Sequence, residues 1–160
     1  MHSKEVLAYA AGIIDGEGCV QYIAHRPKDR IGVRGYVRVS VGNTDLRLIG
    51  WLYEHFEGHV TSRPKQKQAH KQSYDWVIAS NKAIEFLKTV IPYMVIKKER
   101  SQYLVENAIA LRHSTRHSVE FDRGRLELKE RMHLFNRKGE PPATTKRDGG
   151  TDGTGTDAIV

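Results

Sequence analysis

Two acidic residues, Asp15 and Glu17, close a run of small and aliphatic residues, YAAGIIDGEG (residues 9–18), and each is followed by a glycine. The run reads as a helix, and a helix C-terminus carries partial negative charge that repels carboxylates and prefers cations. Something positive must therefore lie opposite. A hard divalent cation suits such a place, because it takes carboxylate, backbone carbonyl and phosphate oxygens as ligands. Beside a basic surface, that chemistry points to metal-assisted attack on a phosphodiester, which needs an activated water, compensation of charge on the phosphoryl oxygens and stabilisation of the leaving oxygen.

Other polar candidates carry less. His113 and His117 are four apart, but no third ligand follows at a metal-site spacing, so they read as a surface pair. His55 and His59 straddle Gly58, which spoils a shared helix face. No Ser, Cys or His nucleophile motif and no phosphate-cradling glycine loop is present. Cys19 stands alone, which excludes an intrachain disulfide and a zinc-finger framework and fits a reducing compartment.

The elements that must position the acidic pair can be read from the whole chain. Its 160 residues suit one ordinary domain, and 39% hydrophobic content suits a globular one. No apolar run is long enough to span a bilayer, and MHSKEVLAYAAG lacks a basic region followed by an apolar stretch, so an intracellular protein without a signal peptide is expected. Net charge is +7, and its distribution is uneven. Residues 19–43 hold five Lys or Arg against one Asp, and residues 58–80 hold four against one, which together account for the whole excess. A focused basic surface of this kind attracts polyanions.

Residues 4–15 have helical spacing, with Ser3 as a cap, and Ala8, Gly12 and Gly16 form a small-residue stripe that lets another backbone approach. Residues 19–43 switch to period two: Val20, Tyr22 and Ala24 face one side with Val37, Val39 and Val41, which predicts a long hairpin with an apolar and a basic face. A helix capped by Asn43 or Thr44 follows, carrying Leu48, Trp51, Leu52 and Phe56 and stopping at Gly58. In a second hairpin Val60, Tyr74, Trp76 and Ile78 point inward. Asn81 caps a helix ending before Pro92, residues 97–112 and 120–136 read as two more helices, and the Gly/Thr-rich residues 137–160 read as a disordered tail after a 1–136 domain. The order implies an α+β layer with an antiparallel sheet, helices on one face and charge on the other, suited to the DNA major groove.

Residues Ala10 to Gly18, AGIIDGEG with its preceding alanine, resemble the motif of the LAGLIDADG homing endonucleases, with Glu17 in place of the second Asp. The α-β-β-α-β-β-α order, the VRVSVGNTDLR junction and the PYMVIKK segment extend the resemblance over about residues 3–136. It implies that family's fold, with a saddle-shaped antiparallel sheet and, here, extra C-terminal helices. It implies Glu17 and the Gly16 carbonyl as ligands of Mg²⁺; Mn²⁺ or Ca²⁺ could occupy the site, Ca²⁺ without cleavage. Glu17, Lys97, Asn43 and Arg47 would be catalytic, Asn43 orienting waters and the two cations stabilising charge. Ala8 and Gly12 would pack across a two-fold axis, with Asp15 bonding toward the partner's helix. One motif per chain implies a homodimer cutting both strands of a long pseudo-palindromic site with short 3′ overhangs at an intron insertion site.

The outward strand phase marks Gln21, Ile23, His25, Arg34 and Tyr36 for base edges, together with Arg38, Ser40, Thr61, Arg63 and Asp75, and a one-residue slip would swap the set. Arg26, Lys28, Arg30, Lys65, Lys67 and Lys71 are marked for phosphates. The partner is then double-stranded DNA, with no membrane. An intron RNA maturase or a DNA-binding regulator on the same scaffold is the alternative, RNA being the partner of a maturase. Organelle, phage, bacterial and archaeal origins all fit.

Overall fold

The computed structural model describes residues 2–29, 31–64, 71–112 and 118–136. The reading of residues 137–160 as a tail, the phosphate candidates Arg30, Lys65 and Lys67, and the pair His113 and His117 lie outside the described residues.

Helix α1 (Lys4–Glu17) starts where Ser3 Oγ accepts the Val6 N–H at 3.4 Å and buries Ala10, Ala11, Ile13 and Ile14. It passes without a loop into strand β1 (Gly18–His25), and the junction demands a glycine: a Cβ at Gly18 would lie 2.7 Å from the Ile14 backbone. Strand β2 (Arg34–Asn43), helix α2 (Leu46–Phe56), strands β3 (His59–Ser62) and β4 (Tyr74–Ala79) and helix α3 (Ser80–Val90) follow. A 3-10 turn at Ile91–Tyr93 holds Pro92, and helices α4 (Lys98–Arg112) and α5 (Val119–Asn136) complete the described chain. The order is the expected α-β-β-α-β-β-α with additional helices, and the class is α+β. Among the described residues no helix is long and apolar enough to cross a membrane.

The four strands form one antiparallel sheet in the order β1-β2-β4-β3. Strict alternation decides its faces. Val20, Tyr22 and Ala24 of β1, Val37, Val39 and Val41 of β2 and Trp76 and Ile78 of β4 are buried in one core with the helices. Each valine or isoleucine of the set contributes on the order of 1.5–3 kcal/mol on burial, and a slip by one residue would expose the whole set.

Four expectations need correction. Val60 lies opposite Trp76, on the core side, yet stays 39% exposed, because β3 is the sheet's edge and all of its residues are exposed. The cap of α2 is Asp45, whose carboxylate accepts the Arg47 N–H at 2.9 Å, while Asn43 Oδ1 accepts the Asp45 N–H one step earlier. The buried residues of α2 are Ile49 and Leu52, with Leu48, Trp51 and Phe56 packed at the margin. Asn81 lies inside α3, because β4 runs directly into the helix at Ala79 and Ser80, where Ser80 takes a φ of 58°.

Candidate functional site

The positive partner of the acidic helix end is Lys97. Its ammonium donates to the carbonyls of Ile14, Asp15 and Gly18 at 2.7, 2.7 and 2.8 Å, so its three hydrogens are all engaged at the C-terminus of α1. Asp15 makes the reciprocal connection. Its carboxylate accepts the backbone N–H groups of Val95, Ile96 and Lys97 at 2.6, 3.2 and 2.9 Å, where the dipole of the oncoming α4 favours an anion. Each helix end is therefore capped by a side chain from the segment of the other. The sequence reading has Asp15 bonding toward a partner's helix; within one chain its carboxylate already accepts these three N–H groups.

Glu17 behaves differently. It is exposed and makes no hydrogen bond or ion pair with the described residues. Lys97 lies near enough to feel it: partial burial and the Arg100 guanidinium hold the Lys97 pKa below the ordinary lysine value, against the opposing pull of Asp15, Cys19 and Glu17. Burial likewise lowers the Arg100 pKa, with Cys19 and Asp15 opposing, and Arg100 donates to Asn136 Oδ1 at 3.0 Å. The Gly16 carbonyl lies between those that Lys97 caps and is not one of them. Among the described residues, no group of three or more His, Cys, Asp or Glu side chains is placed to hold a metal ion.

The other two catalytic candidates gather at the junction of β2 and α2. Gly18 lies opposite Val41, so the end of α1 and Asn43 occupy the same end of the hairpin. Asn43 uses its side-chain oxygen on Asp45 and keeps its amide nitrogen as a donor. Arg47 points its guanidinium back onto Asp45, with Nη2 to Oδ2 at 2.6 Å and Nε to Oδ1 at 3.0 Å, and is 91% exposed. The hydrogen bonds from the Arg47 side chain, then from its N–H, hold the Asp45 pKa down at about 2. Lys97 and Arg47 are thus engaged in local structure, while Glu17 and the Asn43 amide nitrogen make no hydrogen bond among the described residues.

On the sheet, the outward phase expected from the sequence is the one observed. Gln21 lies opposite Arg38, Ile23 opposite Tyr36 and His25 opposite Arg34, with Ser40 between Cys19 and Val77. His25 and Tyr36 meet edge to face at 6.4 Å between ring centroids. Thr61 lies opposite Asp75. Asp75, however, is paired with Arg63, whose Nη2 donates at 2.6 Å, and the pair sits over Gly42, where a Cβ would lie 2.8 Å from the Asp75 carboxylate. These two base-edge candidates therefore satisfy each other; the bond to Asp75 raises the Arg63 pKa further. Arg26, Lys28 and Lys71 are exposed.

The stripe of α1 faces outward. Ala8, Gly12 and Gly16 are exposed, and a Cβ at Gly12 or Gly16 would meet nothing within 4 Å. Beside them stand apolar groups that the sequence reading did not single out. Tyr9 packs its edge on Trp51 at 4.7 Å and is 54% exposed, and Val95 and Ile96, held by Asp15, are 83% and 76% exposed. The VI dipeptide after PYM was the only sequence signal for the latter pair, an apolar doublet outside any period.

No protein-family model matches the sequence, and no curated protein matches it. Solved structures do match. The chain is similar to the archaeal intron-encoded homing endonuclease I-Vdi141I complexed with DNA, with a TM-score of 0.65, 19% identity, and coverage of 85% of this chain and 87% of that one. It is similar to the homing endonuclease I-CvuI in complex with its target in the presence of calcium, with a TM-score of 0.67, 15% identity, and coverage of 84% and 83%. It is also similar to I-LtrWI, a LAGLIDADG homing endonuclease bound to target DNA, with a TM-score of 0.57 and 19% identity, covering 77% of this chain but 42% of that one. The likeness is one of fold.

Proposed function

We propose that this chain, which has the fold of the LAGLIDADG homing endonucleases, is a sequence-specific DNA endonuclease of the intron-homing type that works as a divalent-metal-dependent homodimer. The observation that carries the reading is Glu17: an exposed, unengaged carboxylate at the end of a helix whose small-residue face is open, next to a sheet face lined with Arg, His, Gln and Tyr.

The hairpin supplies the reading surface. Strands of eight and ten residues extend about 30 Å at roughly 3.3 Å per residue, the length of about nine base pairs at 3.4 Å each. Gln21, Arg38, Tyr36, Ile23, His25 and Arg34 alternate across two strands and would meet base edges, with Arg26 and Lys28 on phosphates.

The residues at the end of α1 fit a hard cation, Mg²⁺ in this reading. Glu17 and the Gly16 carbonyl are oxygen donors that Lys97 leaves unused, and phosphate oxygens would complete the set. Bound there, such an ion supplies a water of lowered pKa and charge compensation at the phosphate. Asn43 would hold a water through its amide nitrogen. Lys97 and Arg100 bring fixed positive charge to the same helix end, which favours the anionic substrate.

Two strands need two such centres. The open Gly12 and Gly16 positions and the exposed Tyr9, Val95 and Ile96 support a second copy of this chain against α1, with each copy cutting one strand to leave short 3′ overhangs. That this chain spans 42% of I-LtrWI supports the same reading, since a protein of that length has room for two such units.

A binding role without cleavage, as in a maturase or a regulator, has one observation in its favour: the cationic groups of Lys97 and Arg47 already have structural partners. Cleavage of a library of randomised palindromic duplexes of about 24 base pairs, long enough to exceed two such half-sites, separates the readings. With Mg²⁺, wild type should cut selected sequences and Glu17→Gln should bind them without cutting. Selective binding by both without cleavage would establish the regulator, and cleavage by Glu17→Gln would remove the metal assignment.

A further inference from the structure

Helix α5 reaches over the open edge of β1 to the turn between β1 and β2. Asp122 Oδ1 accepts the Val33 N–H at 2.9 Å, and Arg125 Nη1 donates to the Val33 carbonyl at 2.9 Å. Both polar groups of one backbone residue are thus held by side chains one helical turn apart. Further along, Lys129 donates to the Ala24 carbonyl at 3.2 Å, at the other end of the turn. Positions 122, 125 and 129 share a helix face. The connection is well enclosed: Val33 is 0% exposed although it lies in a turn, and the side chains of Asp122 and Arg125 are 13% and 12% exposed. Arg125 also donates to the Leu111 carbonyl at 3.3 Å, which brings α4 into the same joint. Lost hydrogen bonds in so enclosed a place leave unsatisfied groups rather than hydrated ones.

The joint sits at the far end of the hairpin from Glu17. Gly18 and His25 are the two ends of β1, seven steps or about 23 Å apart at roughly 3.3 Å per residue. Resting on the nuclease reading, we propose that Asp122 and Arg125 are positioning residues for DNA specificity, fixing the β1–β2 turn so that His25 and Arg34 read the outermost base pairs of each half-site in one register.

The test compares Asp122→Ala with Asp122→Asn, whose side-chain oxygen can still accept the Val33 N–H. Cleavage is measured on duplexes carrying single base-pair changes along the half-site, and amide hydrogen exchange of residues 31–35 is followed in the DNA-free protein. Asp122→Ala should lose about tenfold in discrimination at the outermost positions, the weight of one base-pair contact, with kcat on the preferred site and discrimination near the centre unchanged. Exchange at Val33 should accelerate, and Asp122→Asn should restore both properties. Where Asp122→Ala does not fold, Asp122→Ser, whose hydroxyl is too short to reach Val33, takes its place. A uniform loss across all positions, unaltered discrimination, or unaltered exchange would overturn the proposal. Failure of the nuclease reading is separately visible, because the unmutated protein would then cut no sequence, and the proposal would fall with it.

Discussion

Lys97→Met keeps an unbranched side chain as far as Cε, with sulfur at the δ position, and removes the ammonium. Three carbonyls, those of Ile14, Asp15 and Gly18, lose their donor together. A hydrogen bond to a charged group contributes about 1.5–3 kcal/mol, and a cation at a helix C-terminus about 0.3–1 kcal/mol more. The three bonds do not add in full, because the half-buried ammonium is already desolvated in the folded state and the released carbonyls regain water in part. One full bond plus the helix-end interaction gives a loss of about 2–4 kcal/mol. For a chain of this size each kcal/mol moves Tm by about 2–4 °C, so a fall of roughly 4–16 °C is expected. Thermal and urea unfolding followed by circular dichroism measure it, with the urea midpoint falling and its slope unchanged. A Lys97→Met protein that unfolds at the wild-type temperature and midpoint would refute the capping argument, and if cleavage alone were lost, the ammonium would belong to the chemistry.

Gly12→Leu should halve the mass seen by light scattering without lowering the unfolding temperature. A Cβ at Gly12 meets nothing within 4 Å of its own chain, and leaving glycine adds roughly 1 kcal/mol of helix propensity; a dimer of unchanged mass would move the interface off α1. Glu17→Gln should retain selective DNA binding, measured by gel shift in Ca²⁺, while losing cleavage in Mg²⁺. The Asp45 carboxyl should titrate at about 2 by NMR. Because this folded-state value lies below the ordinary aspartate value of about 4, the stability from its bonds to Arg47 is fully present above that pH and is lost as pH falls toward 2. The stability difference between wild type and Asp45→Asn should therefore shrink over that acid range, and a constant difference would contradict the assignment.

Where the chain is half buried, its sequence was easily read. The alternation of Val20, Tyr22 and Ala24 and of Val37, Val39 and Val41 marks the core face because each of these strands has one wet and one dry side. Val60 misled because an edge strand exposes even its inward residues. The cap of α2 was ambiguous for a different reason: Asn43, Thr44 and Asp45 are all competent caps, and the choice among adjacent ones depends on the angle at which β2 delivers the chain. The position of Glu17, an exposed carboxylate at a helix end, was legible from the run of small and aliphatic residues before it. The exchange of caps between Asp15 and the segment at Lys97 was not, since the partners are 82 residues apart and nothing in local pattern links them. The same distance effect hid Asp122 and Arg125, which read as ordinary charges on an amphipathic helix until the fold brings them to Val33.

The two borders of the sheet are finished in opposite ways. One is roofed by α5, with Lys129 on a carbonyl that would otherwise seek a new strand. The other is β3, whose four residues are all exposed among the described residues. Four residues present too short a ladder for a neighbouring molecule to grip, and Pro64, two residues on, removes the next donor. Covering and brevity are two devices that keep a sheet edge from pairing with a foreign strand, and this sheet uses one at each border.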